Sequence, residues 1–239
     1  MKKMIPLDQL PLVTDELTVL AGLVPLINSQ IVELGCGNAR LARTLLQQFP
    51  GCHVTGLEVD VRQHAKNLAE PAQPDLTFLA AGAQAIPLTD ASCDLALMLK
   101  SLHHVPLAVM ATALGEVARV LRPGGYLYVS EPIFDGAMNE VIRLYNDEEL
   151  VRSAAQAAVD AALTTGLWEQ VAESCFATPV HFNDFADFEQ RMMRPTYADH
   201  QLDDATIAAV RTVFEPHCGA SGADFTRPMR VRLLRRVAA

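Results

Sequence analysis

Cysteine is scarce in this chain, and its placement argues against two roles. The 239 residues include five cysteines, and no two of them form a C-x-x-C pair. Zinc sites and disulfide frameworks both use clustered or paired cysteines. We therefore expect no metal site, and we expect free thiols of the kind found in the reducing cytoplasm.

Long hydrophobic runs are also missing, although half of the residues are hydrophobic. No stretch approaches the roughly 20 apolar residues that cross a bilayer. The segment from Met1 to Pro6 has neither a long apolar stretch nor a small-residue cleavage site, so it does not predict a secretory signal. The sequence predicts a cytoplasmic protein without membrane insertion, and 239 residues can bury a substantial core.

Positive charge is in deficit, with 28 acidic residues against 19 lysines and arginines. Residues 131–204 hold 15 acidic and four basic residues, whereas residues 227–236 hold five arginines. Proteins that bind nucleic acid neutralise phosphates with a basic face, so nucleic acid is an unlikely partner for this balance of charge. The arginines are interpreted either as an RNA-binding patch or as an edge strand whose arginines are solvated, paired with acidic residues, or deterring edge-to-edge pairing.

The most informative segment is residues 31–46, where an apolar stretch precedes two glycines and a helical pattern. The stretch ends near Glu33, and Gly35 and Gly37 flank Cys36. This pattern predicts a strand, a tight turn and a helix N-terminus, where glycine lets a ligand approach the backbone closely. We expect free N–H groups and the helix dipole to face that ligand. Cys36 is expected to fill space rather than to react.

Two cofactor classes use such a turn. A dinucleotide fingerprint requires a third glycine at the position of Arg40, which counts against nicotinamide and flavin cofactors. The run from Glu33 through Gly35 and Gly37 to Ala39 instead resembles motif I of the class I S-adenosylmethionine-dependent methyltransferases. A turn that only connects a strand to a helix is the alternative.

Further segments resemble this family in the same order and spacing. Glu58 ends a predicted strand about twenty residues after the turn, where a carboxylate suits the two ribose hydroxyls. The other matches are a third motif at 76–88, a fourth strand and loop at 93–105, and a helix, Pro-Gly-Gly turn and fifth strand at 114–129. The resemblance covers residues from about 30 to 132 and is to the branch that methylates quinones and other metabolites.

The third motif departs from the family at Gly82, where an aspartate commonly contacts the adenine amino group. Adenine is then expected to be held by backbone groups around Ala83 and Gln84 or by the Gln84 side chain. The resemblance implies S-adenosylmethionine as cofactor. The residues it implies for cofactor binding are Glu33, Gly35, Cys36, Gly37, Glu58, Val59, Gly82, Ala83, Gln84 and Lys100.

Strand and helix patterns alternate along the first part of the chain. Strands are predicted near 30–33, 53–58, 76–80, 94–99 and 126–131, and helices near 14–26, 39–49, 61–70 and 106–121. The alternation predicts an α/β, Rossmann-like, doubly wound and mostly parallel sheet of about seven strands with helices on both faces. Ligands of such sheets bind at the carboxyl ends of the strands.

The rest of the chain is expected to belong to the same domain, residues 1–239. After the cofactor-binding core at 1–132, residues 133–225 are predicted to complete the sheet and form a partly helical lid over the substrate. Their elements are a helical stretch over about 136–172, an extended piece near 178–182 and a capped helix at 183–189. Residues 226–239 are predicted to form a C-terminal strand.

Two histidines follow the predicted fourth strand, close to the expected position of the methyl group. A sulfonium makes its methyl electrophilic, so the protein needs mainly to align the acceptor and exclude water. A base is needed only if the acceptor loses a proton, and His103 or His104 suits that role because histidine titrates near neutral pH. We expect His104 to contribute more. The alternative is that one histidine packs under the cofactor or binds its carboxylate while the other caps a helix.

Three neighbouring features have open interpretations. Adjacent loop histidines are expected to point in different directions, so they predict no metal site. Glu131 either contacts substrate or caps a helix, and Lys100 either orients the substrate or is a solvated strand end.

We conclude that the sequence predicts a methyltransferase that uses in-line displacement on a small-molecule acceptor. The alternatives are an RNA or protein methyltransferase and a non-catalytic, regulatory S-adenosylmethionine-binding module. Either a monomer or a homodimer is compatible with the sequence.

Overall fold

The computed structural model describes residues 6–195 and 200–238. Its strands are β1 (Gln30–Leu34), β2 (His53–Leu57), β3 (Leu76–Leu79), β4 (Cys93–Leu99), β5 (Leu121–Pro132), β6 (Trp168–Phe182), β7 (Cys218–Gly219) and β8 (Gly222–Arg236). They form one sheet in the order β3-β2-β1-β4-β5-β8-β6, and β7 pairs with β8. The predicted mostly parallel, Rossmann-like α/β sheet is therefore confirmed.

The helices lie mainly between the strands, as the alternating pattern predicts. They are α1 (Glu16–Ala21), α2 (Arg40–Gln48), α3 (Val61–Ala69), α4 (Met110–Val120), α5 (Ala137–Ile142), α6 (Glu149–Leu163), α7 (Phe185–Phe188) and α8 (Asp204–Phe214). A π-helix at Glu189–Met193 follows α7 directly. In the described part of the chain, no helix is both long enough and apolar enough to cross a membrane.

The strand order reverses at β1, and this reversal positions the candidate site. Strand β1 pairs in parallel with β2 on one side and with β4 on the other. The pairs β2–β3 and β4–β5 are parallel as well, whereas β7–β8 is antiparallel. In open α/β sheets, the crevice beyond the carboxyl ends of the strands at such a reversal is where ligands bind.

The chain divides into two compact units. The core unit comprises residues 16–131, 153–174 and 231–239, and the second unit comprises residues 1–15, 132–152 and 175–230. Strands β6 and β8 contribute residues to both units.

The core unit is held together by strands that are buried on both faces. Residues 31–34 of β1 and 95–98 of β4 are all buried and, except for Glu33, apolar, which is the pattern typical of a parallel sheet covered by helices. Residues at helical spacing on α4 and α6 complete this apolar cluster: Ala113, Leu114, Val117, Ala155, Val159 and Ala162.

The second unit has a separate aromatic core. Five phenylalanines pack together there, with ring centroids 4.8 to 6.1 Å apart: Phe182, Phe185, Phe188, Phe214 and Phe225. Side-chain caps begin two of its helices, because Asp184 accepts from the N–H of Asp187 and Asp203 accepts from the N–H of Thr206.

Several boundaries differ from the sequence predictions. The helix predicted over 14–26 ends at Ala21, just before Gly22, because glycine disfavours a helix interior. Residues 168–172 belong to β6 and not to a helix, because the chain turns at Gly166, whose φ is +78°. The C-terminal arginine strand, β8, lies between β5 and β6 and is not an edge strand. Helix α8 was not predicted.

Candidate active site

The glycine turn between β1 and α2 leaves open space above one of its two glycines. Gly35 and Gly37 have φ values of +72° and +53°, a region that favours glycine. A Cβ atom built on Gly35 would lie 2.9 Å from Cβ of Ser101, whereas one built on Gly37 would meet no atom within 4 Å. Gly35 is thus required by packing, and Gly37 borders space that a ligand can enter.

The N–H groups of this turn are used within the protein. Gly35 and Cys36 both donate to the carbonyl of Leu57, at 2.9 and 3.0 Å, and Gly37 donates to Oε2 of Glu58 at 2.8 Å. The prediction that these N–H groups are free for a ligand is therefore wrong. The turn does not present them to an anion, so it suits a cofactor that packs against the glycines without a phosphate.

Glu58 lies directly after β2, where the sequence places it, and is buried. Its Oε2 accepts from Gly37, and its Oε1 accepts from the N–H of Asp60 at 2.9 Å. Each carboxylate oxygen can accept a second hydrogen bond, so both can still receive a ribose hydroxyl. The next side chain, Val59, is 68% exposed and offers an apolar surface beside the carboxylate.

The backbone of Cys36 forms part of the turn, while its thiol packs against Gly56 of β2. A Cβ atom built on Gly56 would lie 2.9 Å from the Cys36 Sγ. Burial raises the pKa of Cys36 to about 12, so the thiol is unreactive, as expected of a space-filling residue. The buried Asn67 of α3 braces the same turn by donating to the Gly37 carbonyl at 2.7 Å. The sequence offered no signal for Asn67 beyond a polar residue in a helical pattern.

Glu33, near the end of β1, is a buried carboxyl group with an unsatisfied oxygen. It is 5% exposed, and its Oε2 has no hydrogen-bond partner. Burial raises the pKa of Glu33 to about 8; the N–H of Ala42 and the charge of Lys100 oppose this shift, and the charge of Glu58 adds to it. A ligand that brings N–H donors and positive charge would satisfy this group.

These residues fit S-adenosylmethionine. Its ribose hydroxyls and ammonium group are donors that match the Glu58 oxygens and the unpartnered Oε2 of Glu33. The Ser101 hydroxyl, packed against Gly35, is also buried without a partner. The open space above Gly37 would admit the body of the ligand.

In the third motif, the Gln84 side chain folds over Gly82. A Cβ atom built on Gly82 would lie 2.8 Å from the Gln84 Nε2. The Gln84 amide therefore occupies the place into which a larger side chain at residue 82 would project. Ala83 between them is buried, whereas Gln84 remains exposed and accessible to a ligand. Whether adenine is held by backbone groups around Ala83 and Gln84 or by the Gln84 side chain stays a prediction.

Two side chains of α4 fix the loop that follows this motif, and sequence reasoning missed them. Arg119 donates to the carbonyls of Ile86 and Leu88, both at 2.8 Å, and Glu116 accepts from the N–H of Ile86 at 3.0 Å. Arg119 and Glu116 also join each other through bonds of 2.7 and 2.8 Å. Their i, i+3 spacing was visible in the sequence, but the loop they hold was not.

Lys100 follows β4 with a φ of +56°. Its Nζ lies 3.7 Å from Oε2 of Glu16, and Oε1 of Glu16 accepts from the Tyr128 hydroxyl at 3.2 Å. The Lys100 side chain is thus directed to α1, and its predicted contact with the cofactor stays a prediction.

A buried histidine–carboxylate pair joins the loop after β4 to the end of β5. His103 and Glu131 are 4% and 1% exposed, and Nδ1 of His103 is hydrogen-bonded to Oε2 of Glu131. The other oxygen, Oε1, accepts from the N–H of Leu102 at 2.9 Å. Because Nδ1–H donates to the carboxylate, Nε2 is the nitrogen that can accept a proton.

His104 lies beside this pair but is exposed. The ring centroids of His103 and His104 are 4.0 Å apart with an interplanar angle of 43°, so the expectation that the two rings point in different directions is wrong. Glu131 orients His103, and the geometry therefore favours His103 over His104 as the base. The expected absence of a metal site stays a prediction.

Comparisons with known proteins agree with this geometry. Residues 32–129 match the sequence profile of a family described as "Methyltransferase domain". Over 117 residues the chain is 35% identical to the 27-O-demethylrifamycin SV methyltransferase of Amycolatopsis mediterranei. This alignment covers 47% of this chain and 42% of that protein. Over 120 residues it is 34% identical to the demethylmenaquinone methyltransferase of Thermus thermophilus. This alignment covers 48% of this chain and 54% of that protein.

The chain thus spans about half the length of these curated relatives. Among solved structures, the YcgJ protein of Bacillus subtilis has a TM-score of 0.62 and 16% identity, with 93% of this chain and 97% of that chain covered. This likeness shows the fold.

Proposed function

We propose that this chain, whose residues 32–129 match the profile of a methyltransferase domain, is a class I S-adenosylmethionine-dependent methyltransferase that transfers a methyl group to a small-molecule acceptor by in-line displacement. The observation that carries the proposal is the buried His103–Glu131 pair. It lies at the carboxyl ends of the parallel strands, as Glu33 and Glu58 do. The names of the two relatives above specify a demethylrifamycin and demethylmenaquinone, which favours a small acceptor here.

Different residues would hold different chemical groups of the cofactor. Glu58 suits the ribose hydroxyls, Glu33 suits the ammonium group, and Gly37 leaves room for close packing. Val59 and Gln84 offer an apolar surface and an amide to the adenine. When bound, S-adenosylmethionine supplies a methyl group that its sulfonium makes electrophilic.

His103 acts as the base when the acceptor is a hydroxyl or another acid. Its Nε2 takes the proton from the acceptor oxygen as that oxygen bonds to the methyl carbon and the carbon–sulfur bond breaks. Glu131 holds the ring through Nδ1–H and stabilises the imidazolium that forms. An acceptor that attacks without losing a proton needs only alignment and the exclusion of water.

The arginines of β8 do not favour RNA as the acceptor. Arg232 is buried and lies 2.7 Å from the carboxylate of Asp160, and Arg235 lies 2.6 Å from that of Glu169. The Arg236 guanidinium donates to the carbonyl of Leu121. These charges serve contacts within the protein, so fewer of them are available to neutralise phosphates.

A regulatory binding module is disfavoured for a different reason. Such a module would bind the cofactor without needing a histidine positioned by a buried carboxylate, and this chain has that pair. We also propose a cytoplasmic location, which the five free cysteines support.

The proposed function is tested by following S-adenosylhomocysteine formation with purified protein and three acceptor classes. These are a panel of hydroxylated quinones and phenolic metabolites, bulk transfer RNA, and an unfractionated protein extract. Turnover with a small molecule, together with weak binding of transfer RNA in about 0.15 M salt, is the expected result. Methylation of transfer RNA or protein alone would contradict the small-molecule proposal. Cofactor binding without turnover in any class would support the regulatory module.

A further inference from the structure

Glu33 is a buried carboxyl group that is only partly satisfied by its surroundings. It lies near the end of β1 and is 5% exposed, and in the described part of the chain its Oε2 has no hydrogen-bond partner. An ionised carboxylate in such a place is costly, because burial removes its hydration and no cation replaces it. The geometry therefore favours the neutral, protonated form of Glu33 before a ligand binds.

Cations on the neighbouring elements are engaged with other groups. Nζ of Lys100, directly after β4, lies 3.7 Å from Oε2 of Glu16 on α1, and Nη1 of Arg43 on α2 donates to Oε1 of Gln73 at 3.4 Å. Burial raises the pKa of Glu33 to about 8, and the charge of Lys100 opposes this shift only in part.

The other groups that act on Glu33 bring no positive charge. Glu33 pairs with Gly56 in the β1–β2 ladder, so Glu58 follows two residues later on the neighbouring strand, and its charge raises the pKa of Glu33 further. Burial raises the pKa of the Cys36 thiol to about 12, so this thiol is neutral near pH 7. The N–H of Ala42 on α2 lowers the pKa of Glu33, but it leaves Oε2 unpartnered.

An ammonium group placed beside Glu33 changes this balance. A positive charge within about 4–6 Å favours the ionised carboxylate and lowers the pKa of a carboxyl group by about 1 to 3. Because the pKa of Glu33 starts at about 8, such a charge moves it to roughly 5 to 7. At neutral pH the carboxyl group then gives up its proton.

We propose that binding of S-adenosylmethionine or S-adenosylhomocysteine is coupled to the release of a proton from Glu33. The O–H bond of the carboxyl group breaks, the buffer takes the proton, and the carboxylate faces the ammonium group of the ligand. The ligand thus competes with a proton for Glu33, so cofactor affinity rises as pH rises toward 8. This inference rests on the proposed function, which supplies the ligand.

The test is calorimetry of S-adenosylhomocysteine binding at pH 7 in buffers that differ in ionisation enthalpy. The dependence of the measured enthalpy on the buffer gives the number of protons released, and we expect roughly 0.4–0.9 per protein. Affinity should rise roughly two- to eightfold from pH 6 to pH 7. Glu33→Gln keeps the shape of the side chain but has no carboxyl proton, so it should lose both effects.

Two controls isolate Glu33 and the ammonium group. Glu70→Gln makes the same change at an exposed position directly after α3 and should behave as the wild type does. 5′-Methylthioadenosine carries the adenosine part of the cofactor without an ammonium group. Its binding should release no proton from Glu33, so wild type and Glu33→Gln should give the same proton count with this ligand.

Three outcomes would overturn the proposal while leaving the proposed function intact. They are S-adenosylhomocysteine binding without proton release, equal release by wild type and Glu33→Gln, and equal release with the two ligands. If neither ligand binds, the cofactor assignment itself fails, and this inference fails with it. Thermal melting shows whether Glu33→Gln folds, and if it does not, the comparison of the two ligands on the wild type decides.

Discussion

The Glu58 carboxylate accepts a hydrogen bond from the backbone N–H of Gly37 at 2.8 Å. The residue expected to bind the ribose is therefore also the residue that joins the end of β2 to the glycine turn after β1. A substitution at either position changes both the cofactor site and the turn. Each effect on binding has to be compared with a variant that changes the backbone or the charge alone.

Replacement of Glu58 should weaken cofactor binding more when more of its hydrogen-bond acceptors are removed. Glu58→Ala loses the acceptors for ribose and for Gly37, and should reduce the free energy of binding S-adenosylhomocysteine by about 1.5–3 kcal/mol. Glu58→Gln keeps one acceptor oxygen and should lose less. Calorimetry measures both, and wild-type affinity in Glu58→Ala would show that the carboxylate serves only the turn.

Gly37→Ala should impair cofactor binding because the added methyl group occupies space that the cofactor needs, and not because the backbone is strained. The new methyl group would enter the open region above the turn, and the positive φ would cost about 1–2 kcal/mol of stability. Gly124→Ala is the matched control, because Gly124 has a φ of +81° and also has no atom within 4 Å of a built Cβ. Thermal melting should show similar losses, whereas calorimetry should show weaker S-adenosylhomocysteine binding only for Gly37→Ala. Equal affinity in the two variants would contradict a cofactor above Gly37.

Local signals explain why much of this site was predicted from sequence. The apolar run of β1, the two glycines and a carboxylate directly after β2 each occupy a few consecutive residues, and the parallel sheet then brings them to one edge. The small number of possible connections in an α/β sheet makes that step reliable.

The remaining features depend on partners distant in sequence. Glu131 and His103 are separated by 28 positions, and no pattern in either segment indicates that their side chains meet. The position of β8 inside the sheet depends on which strands it pairs with, not on its arginines. The use of the turn's N–H groups by Leu57 and Glu58 likewise becomes visible only in three dimensions.

Glu33 should make the cofactor-free protein less stable as pH rises. Its pKa is about 8 in the folded protein, against an ordinary value of 4.5, so the folded state holds the proton more tightly than the unfolded chain does. The penalty is absent below pH 4.5, grows as pH rises toward 8, and is at most a few kcal/mol. Glu33→Gln should remove it, so chemical denaturation at pH 8 should show a variant more stable than wild type. Parallel stability–pH curves for the two proteins would refute the assignment.

Replacement of Arg119 should lower cofactor affinity without slowing the chemical step. Arg119→Gln frees the loop at Ile86 and Leu88, and ordering that loop again on binding should weaken S-adenosylhomocysteine binding by about 1 kcal/mol. Turnover at saturating cofactor should stay near the wild-type value. The control is Arg122→Gln, which removes an arginine paired with Asp94 outside this loop. A fall in turnover with unchanged affinity would contradict a positioning role.

The last prediction concerns the His103–Glu131 pair and requires an acceptor that loses a proton on methylation. His103→Asn should lower turnover on that acceptor by roughly two to four powers of ten and leave S-adenosylhomocysteine affinity nearly unchanged. His104→Asn is the neighbouring control and should have a smaller effect, since the hydrogen bond to Glu131 is made by Nδ1 of His103.

Glu131→Gln separates orientation from proton transfer. Because an amide presents its own N–H donors to Leu102 or to His103, it cannot satisfy both as the carboxylate does. Turnover should therefore fall while His103 remains present, and ¹⁵N spectra of labelled histidine should show that the proton is no longer held on Nδ1. If His103→Asn and Glu131→Gln both keep wild-type turnover on such an acceptor, the pair only fixes the loop after β4, and alignment of the acceptor carries the reaction. If His103→Asn instead loses cofactor affinity, the imidazole belongs to the cofactor pocket.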